Sequence, residues 1–399
     1  MVTVLRQLLL EDYGPFTRLD IELGDITIFV GRNNTGKSTA LEAIELLLSS
    51  INDFKVATSN IDVLSNLKSK SRYLINLRSS KGLAIISGDV VDQGVKHSIE
   101  VRVTKGINGL GDLRDNVMQE VVKSITELTP RSQEILMEAF RRGLRDRLVH
   151  ERKDVKNLPD AIKEFVDGVI SVFSNHVSDL LMDAIFISTY VDGELLNVAL
   201  PPLSEVGVSE NIINELKGLG LNSFEAKRLV NIQLRKVISE SQIIITGKRV
   251  KVEPIHIQHS SLYPFLIDDL SPDKQTELID LLRKEVHYFY DYRGGGQVIL
   301  DFNGNRVSVP YDLMGDGFKA LVRMLSLIIM GIDVALIDEP ETHLHPGFME
   351  VITKYIVELG SLIVFSSLWP RSPLSSLITC LMRLRRVVFL IGLGWLGFT

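Results

Sequence analysis

Gly31-Arg32-Asn33-Asn34-Thr35-Gly36-Lys37-Ser38-Thr39 follows the spacing G-x-x-x-x-G-K-S, and the residues on either side give that spacing a structural setting. Residues 26–30 read Ile-Thr-Ile-Phe-Val, a short apolar, β-branched run of the kind that forms a buried strand. On the other side, Ala40, Leu41, Ala43, Ile44, Leu46, Leu47 and Leu48 make a helix-forming segment with a broad apolar face. Strand, glycine loop and helix in that order form a cradle for phosphate. Gly31 and Gly36 let the backbone wrap tightly enough for successive N–H groups to converge on an anion. The loop ends at a helix N-terminus, where unsatisfied N–H groups and the macrodipole favour negative charge. Lys37 can reach the β- and γ-phosphates as a point charge, and the Ser38 hydroxyl can ligate Mg²⁺. Asn33, Asn34, Thr35 and Thr39 complete the nucleotide-binding loop.

Composition sets the frame around this loop. The 399 residues predict two or three domains, and 45% apolar with 24% charged residues is ordinary for a globular protein with a sizeable core. Fifty acidic against 44 basic residues give a net charge of −6, which excludes a polybasic nucleic-acid or membrane binder. A lone cysteine, Cys380, excludes a disulfide scaffold and a Cys-rich zinc module. Charged residues from Arg6 to Glu22 interrupt any signal peptide, and no run of about 18 apolar residues offers a transmembrane segment. A soluble, cytoplasmic protein is expected.

A second half-site follows 300 residues later. Residues 333–340 read Asp-Val-Ala-Leu-Ile-Asp-Glu-Pro, an apolar strand ending in two acids. Asp338 then stands as a metal ligand beside Ser38, and Glu339 as the group that orients or deprotonates an attacking water. Upstream, Gly315 and Gly317 open a helix whose apolar residues, Phe318, Leu321, Val322, Leu325, Ile328 and Ile329, fall on one face. Backbone donors at that helix start are available to a phosphate; the alternative is a capped turn before a core helix.

This order of motifs resembles the ABC-type ATPase heads. More narrowly, residues 2–39 and 312–346 are similar to the RecF/SMC/OLD branch (AAA-15 and AAA-21 ATPases). Residues 338–346, Asp-Glu-Pro-Glu-Thr-His-Leu-His-Pro, match its D-E-P-E-x-x-L-H-P stretch. The resemblance implies an α/β P-loop NTPase fold of ABC-ATPase head type, with β-rich N-terminal strands and a mainly helical central insertion. It implies ATP and Mg²⁺ as cofactors, with Lys37 and Glu339 catalytic. It also implies an ATP-dependent homodimer, in which Gly315 and Gly317 of one protomer cover the γ-phosphate held by Lys37 of the other. His345 belongs either to that dimer seam or to an ordinary helix start. The family's usual business is DNA repair, recombination or defence. Two other readings stay open: a nucleotide-dependent switch with little turnover, or the ATPase subunit of a complex with a separately encoded nuclease. A Toprim nuclease in this chain would need a glutamate and an Asp-x-Asp pair beyond the second half-site, and no acidic residue follows Glu358.

The domain organisation expected is a lobe at 1–110 carrying the Walker A loop, a mainly helical insertion at 111–240, a second lobe at 241–366 with the Walker B strand, and an atypical tail at 367–399. Within it, 83–91 and 95–103 read as a hairpin, and 113–184 as three helical segments broken at Pro130 and Pro159. These segments are too short for a long coiled-coil arm. Residues 242–247 and 249–258 read as a strand pair turning at Gly247-Lys248, and 298–302 with 306–309 as a hairpin through Asn303-Gly304-Asn305. Two basic stretches, Lys68, Lys70, Arg72, Arg78 and Lys81, and Arg141, Arg142, Arg145 and Arg147, either meet DNA or RNA phosphates or form solvated faces. His256, His259, His287 and His343 lack the carboxylates that would complete a metal site.

Residues 359–399 contain no Asp, Glu, Lys, Ala, Asn or Gln, yet hold Cys380, Trp369 and Trp395. After 362–365, the resemblance predicts S-T-H-S, with a histidine near the γ-phosphate; here the chain reads Ser366-Ser367-Leu368-Trp369. One codon choice for 367–373 reads His-Ser-Gly-Leu-Asp-Leu-Leu in the next frame. That predicts a reading-frame shift near Ser367, which would remove the later strand and helix and leave Val387–Ile391 exposed. The alternative is a genuine hydrophobic tail that packs or touches a membrane surface.

Overall fold

The computed structural model describes residues 4–54, 63–66, 73–92, 94–150, 158–201, 210–239, 242–247, 257–259, 267–330, 332–338, 347–348, 351, 355, 362–367 and 387–391. Three strands, β1 (Val4–Tyr13), β2 (Phe16–Glu22) and β3 (Ile26–Val30), precede helix α1 (Lys37–Ser49) and the short α2 (Val63–Asn66). Strands β4 (Leu83–Asp92) and β5 (Val95–Lys105) lead into α3 (Arg114–Thr126), α4 (Pro130–His150) and α5 (Leu158–Met182). Then come β6 (Ile185–Val191), β7 (Glu194–Leu200), α6 (Glu210–Gly218), α7 (Ser223–Ser239), β8 (Gln242–Thr246) and β9 (Ile257–His259). Helix α8 (Pro272–Glu285) is followed by β10 (Phe289–Arg293), β11 (Gln297–Phe302) and β12 (Asn305–Pro310). Helix α9 (Asp316–Ile329), β13 (Val334–Asp338), β14 (Leu362–Ser367) and β15 (Val387–Ile391) complete the order. Contacts divide the chain into two compact units. One holds Met1–Ile61, Ile86–Glu100 and Lys251–Thr399; the other holds Asp62–Ile85 and Val101–Val250.

The first unit is built on a five-stranded sheet in the order β15-β3-β14-β13-β9, with every neighbouring pair parallel. All five residues of β3 are buried, as a central strand covered on both faces requires. Helix α1 packs on β13, β14 and β9 and is buried nearly all round, from Ala40 and Leu41 to Leu46, Leu47 and Leu48. Helix α9 is amphipathic and sets Phe318, Leu321, Val322 and Leu325 into a core shared with α8 and the antiparallel sheet β10-β11-β12. The β11–β12 turn matches its sequence signal: Asn303 (φ 56°) and Gly304 (φ 89°) both adopt positive φ, as a two-residue type I′ turn demands.

In the second unit, α3, α5, α6 and α7 enclose a core that includes Val121, Phe173, Leu216 and Leu229. The three expected helices over 113–184 are α3, α4 and α5, with Pro130 and Pro159 in their first turns. Thr129 opens α4, its hydroxyl accepting the Ser132 N–H at 3.1 Å. Asn222 opens α7 as a capping box: its Oδ1 accepts the Glu225 N–H at 2.9 Å, and Glu225 Oε2 accepts the Asn222 N–H at 2.8 Å.

Three expectations need correction. Among the described residues of 242–258 the strands pair elsewhere: β8 pairs antiparallel with β7, and β9 with β13, while 248–256 lie outside the described residues. Gly247 is small because β7 lies hard against it. Its N–H bonds Leu196 O at 2.6 Å, and a Cβ there would sit 1.9 Å from Leu195 O. Arg142 is not a cation left for phosphates: it forms a bidentate ion pair with Glu225, and its Nη2 lies 2.6 Å from Glu225 Oε2. The tail does supply a later strand, since Val387–Ile391 runs parallel to β3 in the register Val387↔Ile26 to Ile391↔Val30. Of the basic and histidine residues singled out, Lys68, Lys70, Arg72, His256 and His343 lie outside the described residues, as do the side chains of Arg145 and Arg147.

Candidate nucleotide-binding site

The loop between β3 and α1 takes a shape suited to an anion. Asn34 (φ 62°) and Gly36 (φ 91°) are both left-handed, and such alternation turns consecutive N–H groups toward one concavity. Gly36 caps α1 without a side-chain hydrogen bond, and no acidic residue stands in the helix's first turn. The N-terminal N–H groups and the positive end of the macrodipole are therefore not neutralised locally. Thr35 Oγ1 braces the loop by donating to Arg32 O at 2.9 Å. Gly31 accommodates this brace: a Cβ there would lie 2.8 Å from Thr35 Oγ1.

Lys37 is buried, at 4% exposure, and its Nζ donates to Gly31 O at 3.1 Å and Arg32 O at 3.0 Å. A buried ammonium needs such partners, because desolvation without them costs several kcal/mol, on the order of the penalty for any unpaired buried ion. The same two bonds hold the lysine against the loop that would receive a phosphate. Ser38 and Thr39 are half-buried in the first turn of α1.

Asp338 ends β13 at the carboxyl edge of the parallel sheet, half-buried. Strand β14 separates it from the loop: Ser366 lies opposite Asp338 on one side and Phe29 on the other, and Ser367 lies opposite Val30. The loop after β3 and the end of β13 thus share the strand-end edge where α/β sheets bind ligands. Glu339, His345 and the rest of 339–346 lie outside the described residues.

Gly315 and Gly317 sit at the start of α9 rather than on the loop. Gly315 is an exposed cap (φ −61°, ψ 148°), and its carbonyl accepts the Phe318 and Lys319 N–H groups at 3.0 and 3.1 Å. Asp316 in that first turn already supplies negative charge to the dipole, unlike α1. Sequence reading missed one feature of the site altogether: Pro15 and Phe16, at the β1–β2 turn, lie against Gly36. The Gly14-Pro15 turn is visible in the sequence, but its contact twenty residues on is not. Among the described residues no three His, Cys, Asp or Glu side chains gather as a metal cluster, and no helix is long and apolar enough to cross a membrane.

Residues 26–364 match the family model described as "AAA domain, putative AbiEii toxin, Type IV TA system". Among solved structures, the SMC head domain from Thermotoga maritima aligns at 13% identity and TM-score 0.39, over 91% of this chain and 89% of that one. An SMC head bound to the C-winged helix domain of ScpA aligns at 12% identity and TM-score 0.42, over 94% and 91%. A third, an Smc head domain with an extended coiled coil bound to the C-terminal domain of ScpA derived from Pyrococcus furiosus, aligns at 12% and TM-score 0.36, over 94% and 92%. No curated protein matches the chain.

Proposed function

The chain belongs to the AAA_21 family of AAA domains, an ABC-type P-loop ATPase head, and from that premise we propose that it binds and hydrolyses Mg²⁺-ATP at the loop between β3 and α1. The observation that carries this reading is the N-terminus of α1, free of a side-chain cap and of acidic residues, beside a loop with two left-handed residues and a buried lysine. The donor set fits the group: backbone N–H groups and Lys37 for phosphate oxygens, the Ser38 hydroxyl and the Asp338 carboxylate for a hard divalent cation. When bound, Mg²⁺ supplies charge neutralisation on the phosphates. Lys37 exchanges its two carbonyl partners for phosphate oxygens, a trade of neutral acceptors for charged ones that strengthens each bond. Asn33, Asn34, Thr35 and Thr39 line the same cradle. Glu339, next after Asp338, orients or deprotonates the attacking water.

Gly315 and Gly317 serve a second copy's nucleotide in an ATP-dependent homodimer, and the process served is DNA-associated repair, recombination or defence, in the cytoplasm. A second reading has its own support. Directly after Ser366 and Ser367, which end β14, the sequence has Leu368 where the family pattern has a histidine, which favours a nucleotide-dependent switch with little turnover.

Equilibrium titration with Mg·ATP and with ATP in excess EDTA tests the site. Binding that weakens in Lys37→Ala, and an Mg²⁺ dependence that disappears in Asp338→Ala, are the expected results. Binding indifferent to Lys37 refutes it.

A further inference from the structure

The tip of the β1–β2 hairpin is driven against the phosphate loop. Tyr13 pairs with Phe16 across a two-residue turn of Gly14 (φ 54°) and Pro15, glycine taking the first central position that a type II′ turn reserves for it. Tyr13 is fully buried and Phe16 is 9% exposed, so the hairpin tip is anchored. Its two rings converge on one backbone atom. A Cβ built on Gly36 would lie 2.6 Å from Phe16 Cζ and 2.9 Å from Pro15 Cγ, closer than real Cβ contacts run. Gly36 is also the left-handed residue, at φ 91°, from which α1 starts.

We propose that Phe16 and Pro15 are positioning residues for the phosphate loop: their rings fill the space beside Gly36 and hold it in the left-handed conformation that turns the loop's N–H groups inward. A glycine at φ 91° is otherwise free to leave, since without a Cβ it populates both signs of φ about equally. An unclamped loop would have to order itself on each binding event, and that lost preorganisation appears directly as weaker affinity. Packing from an anchored hairpin removes the cost before the ligand arrives. The clamp acts on backbone geometry, so its effect follows the phosphates and not the base.

This rests on the nucleotide reading above, and the test separates the two. Calorimetric titration with Mg²⁺-tripolyphosphate, which has no base or ribose, is run beside Mg·ATP on the full chain and on Phe16→Ala, Phe16→Leu and Lys37→Ala. Phe16→Leu retains most of the buried apolar volume and removes the ring tip that meets Gly36, so it decides the matter even where Phe16→Ala unfolds. The expected result is that Phe16→Leu weakens tripolyphosphate and ATP by the same factor, roughly 10- to 100-fold as for other small misplacements of a binding group, with the urea midpoint little changed. Weakening of ATP alone would overturn the inference, since Phe16 would then act on base or ribose. Unchanged binding of both ligands in Phe16→Leu, with Lys37→Ala still impaired, overturns it too and leaves the site intact. Binding unaffected in Lys37→Ala overturns the nucleotide reading itself, and the clamp with it.

Discussion

Alanine at position 36 should cost the protein its nucleotide before it costs the protein its fold. Two penalties add. An L-residue held at φ 91°, ψ 7° carries about 1–2 kcal/mol of left-handed strain. The new methyl also meets Phe16 Cζ at 2.6 Å and Pro15 Cγ at 2.9 Å, and overpacking of this kind costs about 1–3 kcal/mol. Together they amount to roughly 2–5 kcal/mol, which at 1.4 kcal/mol per decade is about 30-fold at the least. The chain can relieve this by moving either the hairpin, anchored by fully buried Tyr13, or the largely exposed loop at 32–34. The loop is the cheaper to move, so the N–H concavity is lost while the sheet survives. Titration with Mg·ATP should show Kd raised at least about 30-fold, with the urea midpoint falling by much less than the full penalty. Wild-type affinity in Gly36→Ala, at an unchanged midpoint, would refute both the strain and the role given to the loop.

Gly143, inside α4 with ordinary φ and open space around its Cα, is the opposite case: Gly143→Ala should raise stability by about 0.5–1 kcal/mol in urea unfolding and leave nucleotide binding alone. Arg142→Ala should destabilise by about 1–2 kcal/mol at neutral pH, the half-exposed guanidinium being partly screened by solvent. The Glu225 carboxyl is held below its ordinary value, first by the Arg142 hydrogen bond and then by the Asn222 N–H. The unfolded chain therefore binds the extra proton first, so this stabilisation is complete above about pH 4.3 and is lost as pH falls through the lowered value. The gap between wild type and Arg142→Ala should close over that acid range, and a gap constant with pH would refute the pairing. The composition of 359–399 predicts that the coding DNA near Ser367 reads His-Ser-Gly-Leu-Asp in the adjacent frame; codons incompatible with that reading dispose of the frame shift.

What was legible in the sequence is what chemistry or local geometry writes into neighbouring residues. The strand, loop and helix around 31–39 could be read because an apolar β-branched run, a glycine-bearing loop and a helix-forming segment follow one another directly, and the turn at Asn303-Gly304 because type I′ geometry needs two residues tolerant of positive φ. Pro130 and Pro159 marked breaks between helices, and they fall in the first turns of α4 and α5 because within a helix proline is tolerated only there. The pairings that join distant residues left no such trace. Gly247-Lys248 looks like a hairpin turn, yet its glycine exists to let β8 approach Leu195 O on β7. Arg142 reads as one of a cluster of surface cations because its partner, Glu225, lies 83 residues away. The β15 strand was hidden by a composition that argues against ordinary globular sequence, although a run of Val387, Val388, Phe389, Leu390 and Ile391 is what a strand beside β3 requires.

Phosphate release from Mg·ATP, measured on wild type, Lys37→Ala and Glu339→Gln together, tests the proposed activity most directly. Turnover in the wild type that is abolished in both variants is the expected result. A wild-type chain that neither binds nor hydrolyses ATP, or a Lys37→Ala chain that turns over at the wild-type rate, would contradict it.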